Sequence, residues 1–274
     1  MRESSVGLTS MYQGRHLLNW LMDDRGRLLF GYLALYLDFT RDPADPPSGL
    51  TPTRMKALCA DFDVCSRGRA TAMMSLMRFS GYLAPAIESV DRRQRRLVAT
   101  DRLKELLVAR WRTHFAAMAP LFPDGKAMLA ALSHPQFIRF FVISLVEHFR
   151  AGFRPVQYAQ GLGLFGERNA GILILMSLLC AGEAGDTMPP SRPVPLSISA
   201  LARRFAVSRP HVLKLLRDAS RDGWIERVGP DGESVLLSPA LRQAAQNLFA
   251  TMFLYFADCS HLAMAQMKEA GRAA

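Results

Sequence analysis

The sequence predicts a mainly α fold with small β wings, in which two winged helix-turn-helix units are joined by a helical scaffold. Three observations carry this. Residues 196–241 spell a helix, a turn, a capped second helix and a short hairpin in succession. The same order recurs at 50–101. Most of the remaining chain shows helical periodicity, with no parallel-sheet pattern.

In the later stretch, Ser199 to Phe205 reads as a first helix and Ala206-Val207 as a turn. Ser208 is an N-cap, whose hydroxyl accepts from an otherwise unpaired backbone N–H, and Pro210 lies in the first turn, where its missing N–H costs little. Val212, Leu215, Leu216 and Ala219 fall at 3.6-residue spacing and face a core, whereas Arg209, His211, Lys214 and Arg217 lie toward the other side. Gly223 stops the helix. Trp224 to Val228 and Ser234 to Leu237 then flank Gly229-Pro230-Asp231-Gly232 as strand, turn and strand.

The earlier copy is preceded by a helical pattern from Arg15 to Phe39, interrupted near Asp23 to Gly26, with Leu28, Leu29, Tyr32, Leu35 and Tyr36 on one face. A Pro-rich loop, Arg41 to Gly49, ends it. Leu50 to Cys59 is a short helix capped by Thr51 or Thr53, Asp61 to Val64 is a turn, and Ser66 caps a helix from Arg67 to Phe79 that stops at Gly81. Ser66 to Ser208 and Gly81 to Gly223 both span 142 positions. Pro46-Pro47 matches Pro189-Pro190 at an offset of 143, and Leu103, Trp111 and Phe115 match Leu241, Phe249 and Phe253 at 138. The pattern is an internal duplication, with domains expected at 1–122 and 123–274. Between the copies, 124–132 and 135–149 are helical by pattern. The second of these is apolar on most sides, so it is expected to be a buried element between the halves, beside long helices at 101–119 and 239–267.

Gly81-Tyr82-Leu83, followed by Asp91-Arg92-Arg93 and then Ala99-Thr100, resembles the MarR-type winged-helix transcription regulators. In that family a glycine ends the recognition helix, an Asp-x-Arg supports the wing tip, and a Leu-Thr or similar pair opens the next long helix. Asp91 and Arg93 match the wing signature, and Ala99-Thr100 stands where Leu-Thr is usual. Family members are homodimers, so the resemblance implies two subunits fused into a single-chain pseudo-dimer. The second copy departs at its wing, where Gly229 to Glu233 holds two acids and no arginine.

The 274 residues carry a net charge of +10, mostly through arginine, which suits contact with phosphate and guanine. Four cysteines without a CxxC pair argue against a zinc site or a disulfide scaffold. There is no N-terminal apolar signal, and the longest apolar run, 171–181, is about half a membrane span. These features lead to an expectation of a cytoplasmic protein without cofactor or metal. No constellation of catalytic residues stands out, so the chain is expected not to be an enzyme.

The second helix of such a unit enters the major groove with its N-terminal half. The candidate DNA contacts are therefore Ser66, Arg67, Arg69, Thr71 and Ser75 in the first copy and Ser208, Arg209, His211, Lys214 and Arg217 in the second. Arg92, Arg93, Arg95 and Arg96 of the first wing can reach flanking phosphates or a minor groove. The expected function is sequence-specific double-stranded DNA binding by a transcriptional regulator, with two non-identical recognition helices about one helical turn apart on an imperfect palindrome. Its state is a monomeric pseudo-dimer or a homodimer, with room for a small-molecule effector. The alternatives are a plasmid-type replication initiator and a winged-helix protein-docking scaffold that does not bind DNA.

Three further signals compete with this reading. Gly161 to Gly166 is a literal G-x-G-x-x-G, but it lacks a convincing preceding strand and reads better as a flexible connector. Glu147, His148, Arg150, Arg154, Tyr158 and Arg168 form a polar cluster that is either an effector pocket or an ordinary helix end. Cys59 and Cys65 are either oxidant sensors or inert packing residues.

Overall fold

A computed structural model describes residues 1–13, 25–45, 48–86, 96–159 and 161–273. The protein is mainly helical, with one two-stranded and one three-stranded antiparallel sheet. In chain order the elements are α1 (Arg2–Tyr12), α2 (Arg25–Phe39), α3 (Pro52–Asp61), α4 (Arg67–Phe79), β1 (Leu83–Pro85), β2 (Leu97–Ala99) and α5 (Asp101–Met118). There follow α6 (Gly125–Ala131), α7 (Pro135–Arg150), α8 (Gly163–Gly166), α9 (Gly171–Cys180), β3 (Val194–Pro195) and α10 (Ile198–Phe205). The chain ends with α11 (Arg209–Arg221), β4 (Ile225–Val228), β5 (Ser234–Leu237) and α12 (Pro239–Ala273).

The chain forms two compact units, and neither follows the consecutive division at 122/123 expected from the sequence. One unit comprises 26–112, 123–153 and 256–274, and the other comprises 1–25, 113–122 and 154–255. They are called the 26–112 unit and the 154–255 unit below. Both long helices are divided between them, α5 after Arg112 and α12 after Tyr255. A continuous helix carries no sequence mark of such a division, so the duplication boundary and the packing boundary differ.

In the 26–112 unit, Thr51 caps α3 by accepting from the Arg54 N–H, which decides between the two expected caps. Ser66 caps α4 by accepting from the Arg69 N–H. Gly81 takes a positive φ of 72°, which releases the chain from α4 into β1. β1 and β2 pair antiparallel, Leu83 opposite Ala99. The Thr100 hydroxyl then donates to the carbonyl of Gly81, tying the start of α5 to the end of α4. Pro46 and Pro47, and the helical pattern expected from Arg15 to Asp24, lie outside the described residues.

Leu35 and Tyr36 of α2 are buried as expected, but so are Phe30, Leu33, Ala34 and Leu37, which takes burial well beyond one face. α7 buries Phe137, Ile138, Phe141, Val142, Leu145 and Val146, leaves Phe140 and Ile143 half-buried, and belongs to the 26–112 unit. Trp111 of α5 is wholly buried, edge-on to Phe141 of α7 at 5.3 Å, and donates its indole N–H to the Tyr32 hydroxyl at 3.1 Å.

Asp38, near the end of α2, accepts from the Ala99 N–H of β2. Burial raises its carboxyl above the ordinary carboxylate value, against the opposing pull of Ala99, Lys104, Arg96 and Arg41. An acid with a raised folded pKa binds its proton more tightly folded than unfolded. Stability is therefore fullest below the ordinary value near ~4 and falls as pH rises through the raised one. Asp38→Asn is expected to flatten that fall and to leave the protein at least as stable at pH 7. Thermal midpoints of the two proteins across acidic to neutral pH check this.

In the 154–255 unit, the equivalent bonds recur. Ser208 caps α11 by accepting from the His211 N–H, and Gly223 has a φ of 74°. Trp224 N–H donates to Ala219 carbonyl as Tyr82 N–H does to Met77 carbonyl, and Ser238 N–H donates to Trp224 carbonyl as Thr100 N–H does to Tyr82 carbonyl. α4 and α11 are both 13 residues long, and the long helices start at Asp101 and Pro239, again 138 positions apart. The buried positions pair as well: Ala70, Met73, Met74 and Met77 correspond to Val212, Leu215, Leu216 and Ala219. One boundary differs, since the cap of α10 is Ser197, which places Ser199 inside the helix.

Two elements of this unit had no expectation of this kind. α1 packs on α9 with a small polar face: Ser4, Ser5 and Thr9 are buried, and the Ser5 hydroxyl meets the Met176 sulfur at 3.1 Å. The G-x-G-x-x-G stretch is not a flexible connector but a packed turn of helix, α8, with Leu162 and Phe165 buried.

α12 is longer than expected, ending at Ala273. It is also the one described helix long and apolar enough to cross a membrane, with a window of mean hydropathy 1.3 of which 39% is buried. It keeps polar anchors within the 26–112 unit. Asp258 faces His148 at 2.7 Å, and His261 faces Asp124 at 2.8 Å.

Candidate nucleic-acid interface

Helical geometry divides the exposed side of α11 into a central row and two flanks. At 100° per residue, the row opposite the buried Val212, Leu215, Leu216 and Ala219 is Pro210, Lys214, Arg217 and Arg221. Lys214 and Arg217 are exposed and make no ion pair or hydrogen bond among the described residues. Arg221 is held by Asp222 at 2.9 Å and lies 3.7 Å from Asp218. Those carboxylates raise its guanidinium pKa further.

His211 and Asp218 lie on one flank, two turns apart, and both meet the segment between α8 and α9. The Nε2 of His211 is 2.9 Å from the carbonyl of Asn169, and Arg168 pairs with Asp218 at 2.9 Å. The sequence expects a DNA contact from His211. Its outer nitrogen is spent on a backbone carbonyl, so His211 braces α11 and does not point freely outward. Ser208 likewise spends its hydroxyl on the cap. Arg209 remains exposed at the first helical position.

On α4 the corresponding central row is Gly68, Ala72, Ser75 and Phe79, without a charge. Arg67 and Thr71 lie on one flank and Arg69 on the other, all exposed. Thr71 returns its hydroxyl to the carbonyl of Arg67 at 3.0 Å, and Ser66 is occupied as the cap. Arg67, Gly68 and Thr71 share an open groove with Thr53, Lys56 and Ala57 of α3. Phe79 is 89% exposed where α11 has Arg221.

The hairpins also differ. Arg92, Arg93 and Arg95, with the expected Asp91–Arg93 brace, lie outside the described residues, while Arg96 is half-buried at the foot of β2. In the other copy, Arg227 of β4 donates to the carbonyls of Asp231 and Gly232, and the Glu233 carboxylate accepts from the Asp231 N–H. Arginine therefore braces this tip from the strand and not from the turn. On the first copy, Arg102 donates to the Ser80 carbonyl at 2.6 Å and covers the Tyr82 ring.

The residues of the expected polar cluster are divided between the two units. Glu147 bonds Tyr36 and Arg150 within the 26–112 unit, and His148 places Nδ1 on the Ser144 carbonyl and Nε2 on Asp258. Arg154, Tyr158 and Arg168 belong to the 154–255 unit. Cys59 is buried at the core position equivalent to Ala202, and burial pushes its thiol up to about 12, opposite to the shift an oxidant-sensing thiolate requires. Among the described residues, no three His, Cys, Asp or Glu side chains gather as metal ligands.

Comparisons with protein-family models, with curated proteins and with solved structures gave no match for this chain.

Proposed function

We propose that the protein is a sequence-specific double-stranded DNA-binding regulator of transcription, built from two winged helix-turn-helix units in one chain and resembling the MarR type. One observation carries the reading. Twice, a 13-residue helix capped by serine buries one face against its own hairpin and presents a solvent face beginning with arginine, Arg67 in α4 and Arg209 in α11. A rigid helix N-terminus edged with exposed cations is what phosphate positioning and major-groove entry require. The net charge of +10 favours the same partner. The chain acts as a monomeric pseudo-dimer or as a homodimer, with room for a small-molecule effector.

Arg67→Glu and Arg209→Glu are expected to reduce affinity for selected DNA. Each is expected to flatten the dependence of log affinity on log salt by about 0.9 per lost phosphate contact. Both side chains are exposed, so circular dichroism should remain unchanged. Unaltered affinity of both variants for every genomic fragment defeats the reading.

Phe79, exposed on α4, favours a second reading, in which the chain is a winged-helix protein-docking scaffold that does not bind DNA. A gel shift at physiological salt with excess competitor DNA separates the two, because a docking module retains no complex.

A further inference from the structure

α4 and α11 have the same length, cap, buried face and exit, so their solvent faces can be compared position by position. Lys214 corresponds to Ala72 and Arg217 to Ser75, at the centre of the row that faces away from the core. A long cationic donor and a short neutral side chain cannot read the same base edge. Lysine and arginine pair with the O6 and N7 acceptors of guanine, whereas an alanine methyl or a serine hydroxyl reaches only a closely approached edge, such as a thymine methyl.

The bracing of α11 sharpens the contrast. Arg168 on Asp218 and Asn169 on His211 hold one flank along two turns, which fixes the rotation of the helix and keeps Lys214 and Arg217 outward. Leu76 stands at the position of Asp218 in α4, so that ion pair has no counterpart. Asp218 and Asp222 restrain Arg221, leaving Lys214 and Arg217 as the two unrestrained cations of the row.

Resting on the proposed DNA-binding function, we infer that Lys214 and Arg217 are specificity-determining residues for guanine in one half-site. α4 takes the other half-site without a guanine reader, so the operator is not a palindrome. Arg67, Arg69 and Arg78 of α4 contribute phosphate contacts, which position without carrying sequence information.

The test selects double-stranded fragments from a random pool with the full-length chain, then measures affinities at fixed salt. The wild-type protein is expected to enrich a site with two unlike halves, one containing guanine. Arg217→Ala is expected to weaken binding to that site roughly 10- to 100-fold and to relax the guanine preference in that half alone. Ala72→Lys combined with Ser75→Arg is expected to shift selection toward an inverted repeat of the guanine half. Enrichment of a palindrome by the wild type overturns the inference while leaving DNA binding intact. So does an Arg217→Ala variant that binds all sequences more weakly by the same factor, since this marks a phosphate contact. If no fragment is enriched at any salt concentration, the DNA-binding reading itself falls.

Discussion

Trp111→Ala is expected to destabilise the protein by about 3–5 kcal/mol, the range for removing a buried tryptophan or phenylalanine. The ring is 0% exposed and lies among aromatic partners, Phe141 at 5.3 Å and Tyr32 at 5.5 Å. Removal therefore leaves a cavity lined by rigid rings that cannot collapse easily, and it takes the indole donor from the Tyr32 hydroxyl, which also bonds Arg110. Tyr32 is already disfavoured as a phenolate, because burial pushes its pKa up, so losing the indole donor is not relieved by ionisation. Trp111→Phe keeps a ring in place and loses the hydrogen bond and the second ring of the indole, so it should cost less than the alanine variant. Thermal denaturation followed by circular dichroism checks both, with the alanine variant melting on the order of 10 °C lower. Equal midpoints for wild type and Trp111→Ala would show that this cluster does not carry the unit.

Trp111 is legible as one of three apolar residues whose spacing repeats at an offset of 138. Local chemistry is legible as well. Caps at Ser66 and Ser208, glycine exits at Gly81 and Gly223 and the paired buried faces of α4 and α11 depend on neighbours within a few residues. What stayed hidden depends on partners far away in sequence or on groups without a side-chain signature. The carbonyl of Asn169 cannot be read as the acceptor for His211, so Arg209, His211, Lys214 and Arg217 looked like one equivalent set. Geometry divides them into a leading residue, a brace and two outward cations. α1 was hidden differently. Its buried face is Ser4, Ser5, Leu8, Thr9 and Tyr12, and the hydroxyl of Ser4 contacts His114 at 2.6 Å, so polarity masks the periodicity that would announce a helix. Gly7 helps it pack closely, since a Cβ there would come within 2.9 Å of Thr113.

Gly161→Ala is expected to cost about 2–5 kcal/mol, and it separates packing from nucleotide binding as the reason for the G-x-G-x-x-G stretch. Gly161 has a φ of 89°, where an L side chain is strained by about 1–2 kcal/mol, and an added Cβ would overlap the six-membered ring of Trp224. Overpacking of this kind adds about 1–3 kcal/mol. The Trp224 ring must shift to admit the Cβ, while its backbone stays tied to the Ala219 carbonyl at the end of α11 and to the Ser238 N–H after β5. Gly163 and Gly166 have no atom within 4 Å of an added Cβ and no positive φ, so alanine at either position should be tolerated. A loop cradling a pyrophosphate needs its second glycine for close backbone approach and its third for helix packing. That requirement predicts the reverse ranking at these positions. Thermal midpoints of the three single variants give the order directly. Repeating Gly161→Ala in a Trp224→Leu background should shrink its cost, because the smaller side chain removes the overlap and leaves only the backbone strain.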